Sequence, residues 1–476
     1  MKRKVVNERQ KLKGVTQIIT ISKCPVLTYR EKPCDRDMWD EDDGTCIFHS
    51  KKVDQKNIAK FEMDFDNYII EVEKNSEKKV YDFIRFQFPY FSFDGYTFVK
   101  PALFQSAEFH EHVTFNGTKF QDKAVFEMAN FNGTADFWEN RFGGEADFSH
   151  AKFRGDADFF YSEFKKAVDF SFATFDKDAN FIGDILNKCF IEECDFQTLF
   201  SSKNSKVTFE KVNLHKASFL DTNLEYFTFR DVEWHKPTKI WIRRKQALWD
   251  EFEPLEKDDE YDFEKIAENY RQLVLNYERK RDYEIAENFH IGEMEMRRKK
   301  KGVIEEDSSL FKIMAWVEKN TPFFFDNSKD NNKGSKWNWL RKVKEWANGY
   351  ALYKILSNYG TSYWHAFTVF VIMLVLFSGV LLYTGFDLGE KNPQDKSEII
   401  KYKISSDYEY SPALIKEWIS DYGKAVLLTS SIVAFQRERL YKPVGDISYS
   451  WLIISRILLT GQIALLLLAL RRRFKR

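Results

Sequence analysis

Residues 135–181 read ADFWENRFGGEADFSHAKFRGDADFFYSEFKKAVDFSFATFDKDANF, and the spacing of their phenylalanines decides the fold. From Phe93 through Phe98, Phe104, Phe109, Phe115 and Phe120 to Phe170, Phe175 and Phe181, the intervals alternate between five and six, a double step of 11. After an irregular stretch the interval settles at five in Phe209, Leu214, Phe219, Leu224, Phe229 and Trp234. A helix, including a supercoiled one of 11-residue period, would need apolar residues three or four apart. Most of these large residues instead follow a small one two positions earlier, as in Ala135-Asp-Phe137, Ala146-Asp-Phe148 and Ala179-Asn-Phe181. Two inward residues with a polar one between them is the alternation of an extended chain, and the rest of each unit turns a corner. An internal repeat of this kind sets the architecture before any other feature.

The full chain has 476 residues, 43% apolar and 31% charged, enough for two or three domains and too apolar for disorder throughout. Lys plus Arg equals Asp plus Glu at 73 each, so no net field draws it to a polyanion. The composition is unusual in its 46 Phe against 20 Gly and 10 Pro. Residues 1–15 are polar and basic with no apolar stretch behind them, so no secretory signal is expected. Five cysteines, an odd number unevenly spread, read as reduced thiols.

In its repeat the sequence resembles the pentapeptide-repeat family. There a small residue, Asp or Asn, then Leu or Phe and two further residues form one side of a square β-helix. VTFEK, VNLHK, ASFLD and TNLEY at 207–226 match directly. The resemblance implies a mixed fold: a right-handed quadrilateral β-helix over 93–236, followed by a helical hairpin and two transmembrane helices. With about 21 residues per coil and strands about 4.8 Å apart, six to seven coils make a rod about 30 Å long. Each unit buries its Phe against neighbours, a cooperative solenoid. Some family members are acidic stems that occupy a topoisomerase's DNA site. Here Asp and Glu exceed Lys and Arg by only 24 to 15 between Phe93 and Trp234. A scaffold with a protein partner on the β-helix is expected, and no nucleic acid. Cys189 and Cys194 precede Ile191 and Phe196 by two and read as small inward core residues.

Residues 1–60 hold Cys24, Cys34 and Cys46, with His49 in CIFHS. Three thiols and an imidazole can close a tetrahedral zinc shell, and the short Cys46-to-His49 spacing suits a turn. Similar Cys and CIFH patterns precede the repeats in related pentapeptide proteins, so the resemblance adds weight to a structural zinc. The other reading is reduced thiols, with His49 capping a local turn. Residues 61–92 read as a connector.

Over 237–325 apolar residues recur at three and four: Phe263, Ile266, Ala267, Tyr270, Leu273, Val274 and Tyr277, then Tyr283, Ala286 and Phe289. These are amphipathic helices. ENYRQLVLNYERKRDYEIAENFHIGEMEMRR resembles a tetratricopeptide-type hairpin turning near Arg281 and Asp282. Glu293 and Glu295, near His290, read as charges on an exposed helix face. Residues 326–345 are a polar linker.

The membrane module is placed at 346–476, with spans at about 363–386 and 447–470. Lys333, Lys336, Arg341, Lys342, Lys344 and Lys354 precede the first, and RRRFKR at 471–476 follows the second. Both termini are then cytoplasmic, and the protein belongs in the inner membrane among lipid. Between the spans, AVLLTSSIVAFQ at 425–436 reads as a re-entrant or interfacial helix over about 424–436. That is the layout of two-helix ion channels. The chain also resembles bacterial proteins that join pentapeptide repeats to an ion-channel-like module, with LSNYGTSYW before the first span and LLLLALRRRFKR at its end. The resemblance implies a homo-oligomer, because two helices cannot surround water.

A potassium filter needs inward backbone carbonyls on a Gly-containing run, and after Thr429 the chain reads SSIVAFQRERLYKPVG. Potassium selectivity is therefore not expected. Polar candidates for a pore are Thr429, Ser430, Ser431, Gln436, Arg437, Arg439, Arg456, Thr460 and Gln462. Arg456 lies 15 residues before Arg471, about 22 Å along a helix, and an intramembrane Arg is costly. The alternative is that Thr460, Gln462 and the neighbouring Ser455 join helices to one another. No P-loop, Gly-x-Ser-x-Gly or His-Glu-x-x-His is present, and no enzyme is expected. The sequence thus points to a channel-like membrane protein with a cytoplasmic sensing or docking part, or to a non-conducting anchored scaffold.

Overall fold

The computed structural model describes residues 23–34, 36–39, 44–184, 189–202, 205–237, 245–253, 262–302, 348–388, 399–402, 412–433 and 441–474. The chain forms two units, Met1–Gly292 and Glu293–Arg476.

The first unit is built on a four-faced β-solenoid of about seven turns. Its faces are parallel sheets of seven, six, seven and four strands, with a further two-stranded pair at the C-terminal end. Two five-residue and two six-residue sides make one coil, so Asn130 lies beside Lys152 and Ala135 beside Ala157, a step of 22. The step falls to 20 where the sides are all pentapeptides, with Phe209 beside Phe229. Parallel in-register pairing puts each inward Phe on its counterpart one coil away: Phe104–Phe126, Phe126–Phe148 and Phe148–Phe170 stack at 4.7, 4.8 and 4.8 Å between centroids. The small partner two residues earlier is equally buried, as at Ala135, Ala146 and Ala157.

The five-residue sides close through a β-turn whose third residue has positive φ, such as Ser106 at 54° and His150 at 57°. There the Ala107 N–H donates to the Phe104 carbonyl at 3.0 Å. One six-residue corner needs glycine for a different reason. A Cβ on Gly155 would meet the Gly133 carbonyl oxygen at 2.3 Å, and one on Gly133 would meet the backbone of Glu111 at 2.4 Å.

The solenoid starts earlier than its 93–236 reading. Its first strand is Tyr81–Asp82, and residues 61–92 hold most of a helix and three strands rather than a plain connector. The first coil carries aromatics at both inward positions, Tyr81 with Phe83, Phe86 with Phe88 and Phe91 with Phe93, which hides the small-then-large signature. The large residues are needed because this coil faces a helix instead of another coil. Helix α1 (Ile58–Lys74), started by Asn57 accepting from the Lys60 N–H, buries Phe61 and Phe65 against Phe88 and Phe91. Ile191 departs from its expected inward place: it is exposed, and Phe190 is inward beside Phe164. Pairing here steps by 26 residues instead of 22, with Phe164 beside Phe190 and Val168 beside Cys194, while Cys189 and Cys194 are buried in the core.

The C-terminal end is closed by helix α2 (Phe263–Arg279), which turns at Arg281 (φ 62°) into α3 (Tyr283–Gly302). Strand backbone that would face water is taken up by side chains of α2. Asn269 donates to the Phe219 carbonyl, and Asn276 donates to that of Phe227 at 2.7 Å. The Trp234 indole N–H meets the Tyr277 hydroxyl at 2.9 Å.

In the second unit, α4 (Gly349–Ser357), α5 (Tyr363–Thr384), α6 (Pro412–Val433) and α7 (Gly445–Phe474) pack together. A small antiparallel sheet of Phe386–Leu388, Ile399–Ile400 and Tyr441–Pro443 lies between them in sequence. Helices α5 and α7 are long and apolar enough to cross a membrane. Helix α6 corrects the 424–436 reading: it begins at Pro412 and runs 22 residues. Its N-terminal half carries Lys416, Glu417 and Asp421, and Lys424 follows, so an apolar run could not reveal it. The linker at 326–345 lies outside the described residues.

Candidate functional site

The four metal-ligand candidates of the N-terminal region converge. A hairpin with antiparallel bridges Lys23–Asp37 and Leu27–Pro33 sets Cys24 across from Arg36 and Cys34 across from Val26, so the two cysteines stand diagonally across it. Cys46 opens a turn in which the His49 N–H donates to the Cys46 carbonyl at 3.0 Å. The Sγ atoms of Cys24, Cys34 and Cys46 and a ring nitrogen of His49 lie within 4.8 Å of one another, all four residues buried. His49 Nδ1 is 3.2 Å from Cys46 Sγ and 3.5 Å from Cys24 Sγ, and Cys34 Sγ is 4.0 Å from Cys46 Sγ. A tetrahedral shell with Zn–S of about 2.3 Å separates sulfurs by about 3.8 Å, close to the 4.0 Å between Cys34 and Cys46, so the group could hold a metal ion.

The surroundings complete the fit. His49 Nε2 lies 3.1 Å from the Ile84 carbonyl, an acceptor, so Nε2 carries the proton and Nδ1 turns its lone pair to the thiols. Arg36 donates to Cys34 Sγ at 3.4 Å, and its guanidinium stacks over Tyr68, Phe48 and Phe86 at 4.4, 4.9 and 5.2 Å. Hydrogen bonding from Cys46 holds the Cys34 thiol far below its usual range, against burial and with help from His49 and Arg36. Cys46 is pushed up correspondingly as the donor of that pair. Sequence reasoning missed Arg36 and Ile84. The identity of a Cys or His carries a ligand signal, whereas a guanidinium or a carbonyl acquires its role from the fold.

The site is joined to the solenoid's first coil. The Gln87 N–H donates to the Phe48 carbonyl at 2.7 Å, and Lys56 Nζ donates to the Gln87 carbonyl at 2.6 Å. The candidate ligand group is therefore tied to the first coil through Phe48 and Lys56 as well as through His49 to Ile84.

The membrane candidates separate into two groups. Thr429 is buried and accepts from Ser378 at 3.0 Å, and Gln462 donates to the carbonyls of Leu356 and Ala366 at 2.8 Å each. Ser455 is buried too, bonded to the Leu452 carbonyl at 2.9 Å. Ser430 and Ser431 bond back to carbonyls of α6. Arg456 and Thr460 are exposed on α7, among Ile453 and Ile457. Gln436, Arg437 and Arg439 lie outside the described residues. Glu293 and Glu295, read as surface charges, are instead shielded: Glu293 pairs with Arg297 at 2.9 Å, and Glu295 with Arg298 at 3.1 Å and Lys354 at 2.7 Å.

One face of the solenoid stacks Asp147, Asp169 and Asp195 in register. Burial pushes the Asp195 carboxyl up to about 7 against the Gln197 N–H bond, with Asp169, Glu253 and Asp250 adding to the rise. Burial likewise raises Asp250 to about 6, opposed by bonds from Ser218 and Phe219. Folded pKa values above the usual one mean that these groups favour folding below about pH 4 and that this contribution is lost as pH rises through 6 to 7. Asp195→Asn keeps an acceptor for the Gln197 N–H. It should stabilise the protein at pH 8 by about 1–2 kcal/mol after allowance for partial exposure, or about 2–6 °C in Tm, with the gain shrinking toward pH 4. Melting curves at the two pH values check this.

With the geometry in view, residues 139–183 match the profile of the family described as pentapeptide repeats (9 copies). The match falls in the middle of the solenoid, and the four-faced coil continues on both sides of it. The chain thus carries a pentapeptide-repeat β-solenoid together with two helices of membrane-spanning length and composition. No curated protein and no solved structure matches the chain.

Proposed function

We propose that this protein is a membrane-anchored scaffold. Its zinc-capped β-solenoid offers a surface to a protein partner on the cytoplasmic side, and α5 and α7 hold it in the inner membrane with both termini cytoplasmic. The observation that carries the reading is how the second unit uses its polar groups. Ser378 with Thr429, Thr384 with Ser448 at 2.9 Å, and Gln462 with two carbonyls join the helices within one chain. Leu376, Ile453, Ile457 and Leu467 are left pointing outward. Small polar residues as interhelical bonds and aliphatic residues outward suit lipid.

A second reading is an ion-channel-like module formed by several copies. Two observations favour it: the order of spanning-length helix, intervening helix and spanning-length helix, and the exposure of Arg456 and Thr460 on α7, where a lumen or neighbouring copy would meet them.

Alkaline carbonate washing of membranes containing the full chain should leave it in the pellet; release into the supernatant would overturn the anchor. Native mass spectrometry in mild detergent should give a monomer or dimer. A closed tetramer or larger ring would replace the scaffold with the channel-like reading, for which Arg437→Glu with Arg439→Glu must then alter ion preference.

A further inference from the structure

Helix α4 belongs neither to the metal centre nor to the two long helices, yet it presents two different sides. Ala351 and Ser357 are buried, and Lys354 reaches back to Glu295 at 2.7 Å. Leu352 and Ile355, three residues apart and so on one side, are 57% and 49% exposed. The apolar surface does not stop there. Trp364, 64% exposed, and Phe367 stand at the start of α5, and Val371, Ile372, Val375 and Leu376 continue outward along it.

The opposite side of α4 is fixed by a polar network. The Tyr359 hydroxyl donates to Glu295 at 2.9 Å, and Arg472, in the last turn of α7, donates to the Tyr359 carbonyl at 2.9 Å. Burial works against ionisation of Glu295, yet Lys354 and Arg298 hold its carboxyl below the usual range. This side therefore carries charge, next to Arg471, Arg472 and Arg473 at the end of α7.

We propose that α4 lies in the plane of the inner leaflet, with Leu352 and Ile355 set into the boundary between headgroups and acyl chains. The inference rests on the membrane-anchored reading and names one further contact within it. Nine residues rise only about 13 Å, too short to cross, while a helix with one apolar and one charged side fits an interface. Its apolar side runs on into the outward face of α5, and Trp364 stands where an interfacial tryptophan would. The occupant is lipid: aliphatic side chains in a continuous apolar band, level with a cluster of arginines, match an acyl boundary below anionic headgroups. Since Lys354 is tied to Glu295, α4 also fixes the end of α3 at the membrane surface.

The test uses the full chain in nanodiscs of phosphatidylethanolamine and phosphatidylglycerol, with a benzophenone side chain in place of Leu352, Ile355 or Leu376. Irradiation should join residues 352 and 355 to lipid as readily as residue 376 on α5, and Leu352→Glu should abolish the adduct at 355. Adducts at 352 and 355 to this chain or to a second copy, with lipid still captured at 376, would overturn the interfacial helix and leave the anchor standing. Failure to capture lipid at 376 would remove the anchor and this inference together.

Discussion

Replacing Cys46 with alanine should abolish zinc retention and unfold the N-terminal cap, the largest effect expected from any single substitution in this protein. Cys46 is the centre of the ligand group, 3.2 Å from His49 Nδ1 and 4.0 Å from Cys34 Sγ. Without a cation, three sulfurs and an imidazole are buried together, with Arg36 beside Cys34 to balance a thiolate. Structural zinc contributes about 10–16 kcal/mol of apparent binding free energy to small domains that cannot fold alone, and the segment between Cys24 and Lys56 has a small core of Cys46, Ile47, Phe48 and Val53. Loss should propagate, because the Phe48 carbonyl and His49 Nε2 bond to the first coil and α1 packs beside them. Native mass spectrometry should find one zinc in the parent chain and none in Cys46→Ala. Limited proteolysis should cut within residues 23–56 of the variant first. Cys189→Ser, buried in the solenoid, should keep the metal. A parent chain that folds with its cap protected and carries no metal would reduce the group to packed thiols.

Fold and site were legible to different depths, for physical reasons. The solenoid could be read because a parallel coil places the same position over itself, which turns burial into a sequence period. The period failed at Tyr81 to Phe91, where the neighbour is α1 and not another coil, and at Ile191, where the pairing step lengthens and Phe190 stands inward instead. The candidate metal ligands were legible from residue type alone, since Cys24, Cys34, Cys46 and His49 advertise a chemistry that could hold a metal, and the structure brings the four together. The 22-residue extent of α6 was not, because Lys416, Glu417 and Asp421 break the apolar run that marks a membrane helix. Asp421 is nonetheless buried, satisfied by Lys424 at 2.8 Å and the Tyr402 hydroxyl at 2.8 Å. Glu295 gave no sign of its place either, as its partners Lys354 and Tyr359 lie some 60 residues away in sequence.

Phe148→Ala should cost about 3–5 kcal/mol, by truncating the stack where it has neighbours on every side. Phe148 is fully buried, stacked at 4.8 Å on both Phe126 and Phe170 and edge-on to Phe137 and Phe159 at 5.6 and 5.7 Å. Removing the ring leaves a cavity that the coils cannot close, because the backbone spacing along the rod is held by parallel strand pairing on each face. Phe148→Leu should cost much less, about 1–2 kcal/mol, since Leu214 and Leu224 already fill the equivalent inward place in later coils. The comparison also probes cooperativity. In a solenoid each coil is stabilised through its neighbours, so a break at Phe148 leaves two shorter rods, each capped at one end. Denaturant unfolding followed by near-ultraviolet circular dichroism should show a lower midpoint for Phe148→Ala together with a shallower slope, as the halves separate. Equal losses for Phe148→Ala and Phe148→Leu would mean that the aromatic stack is not what holds the coils together.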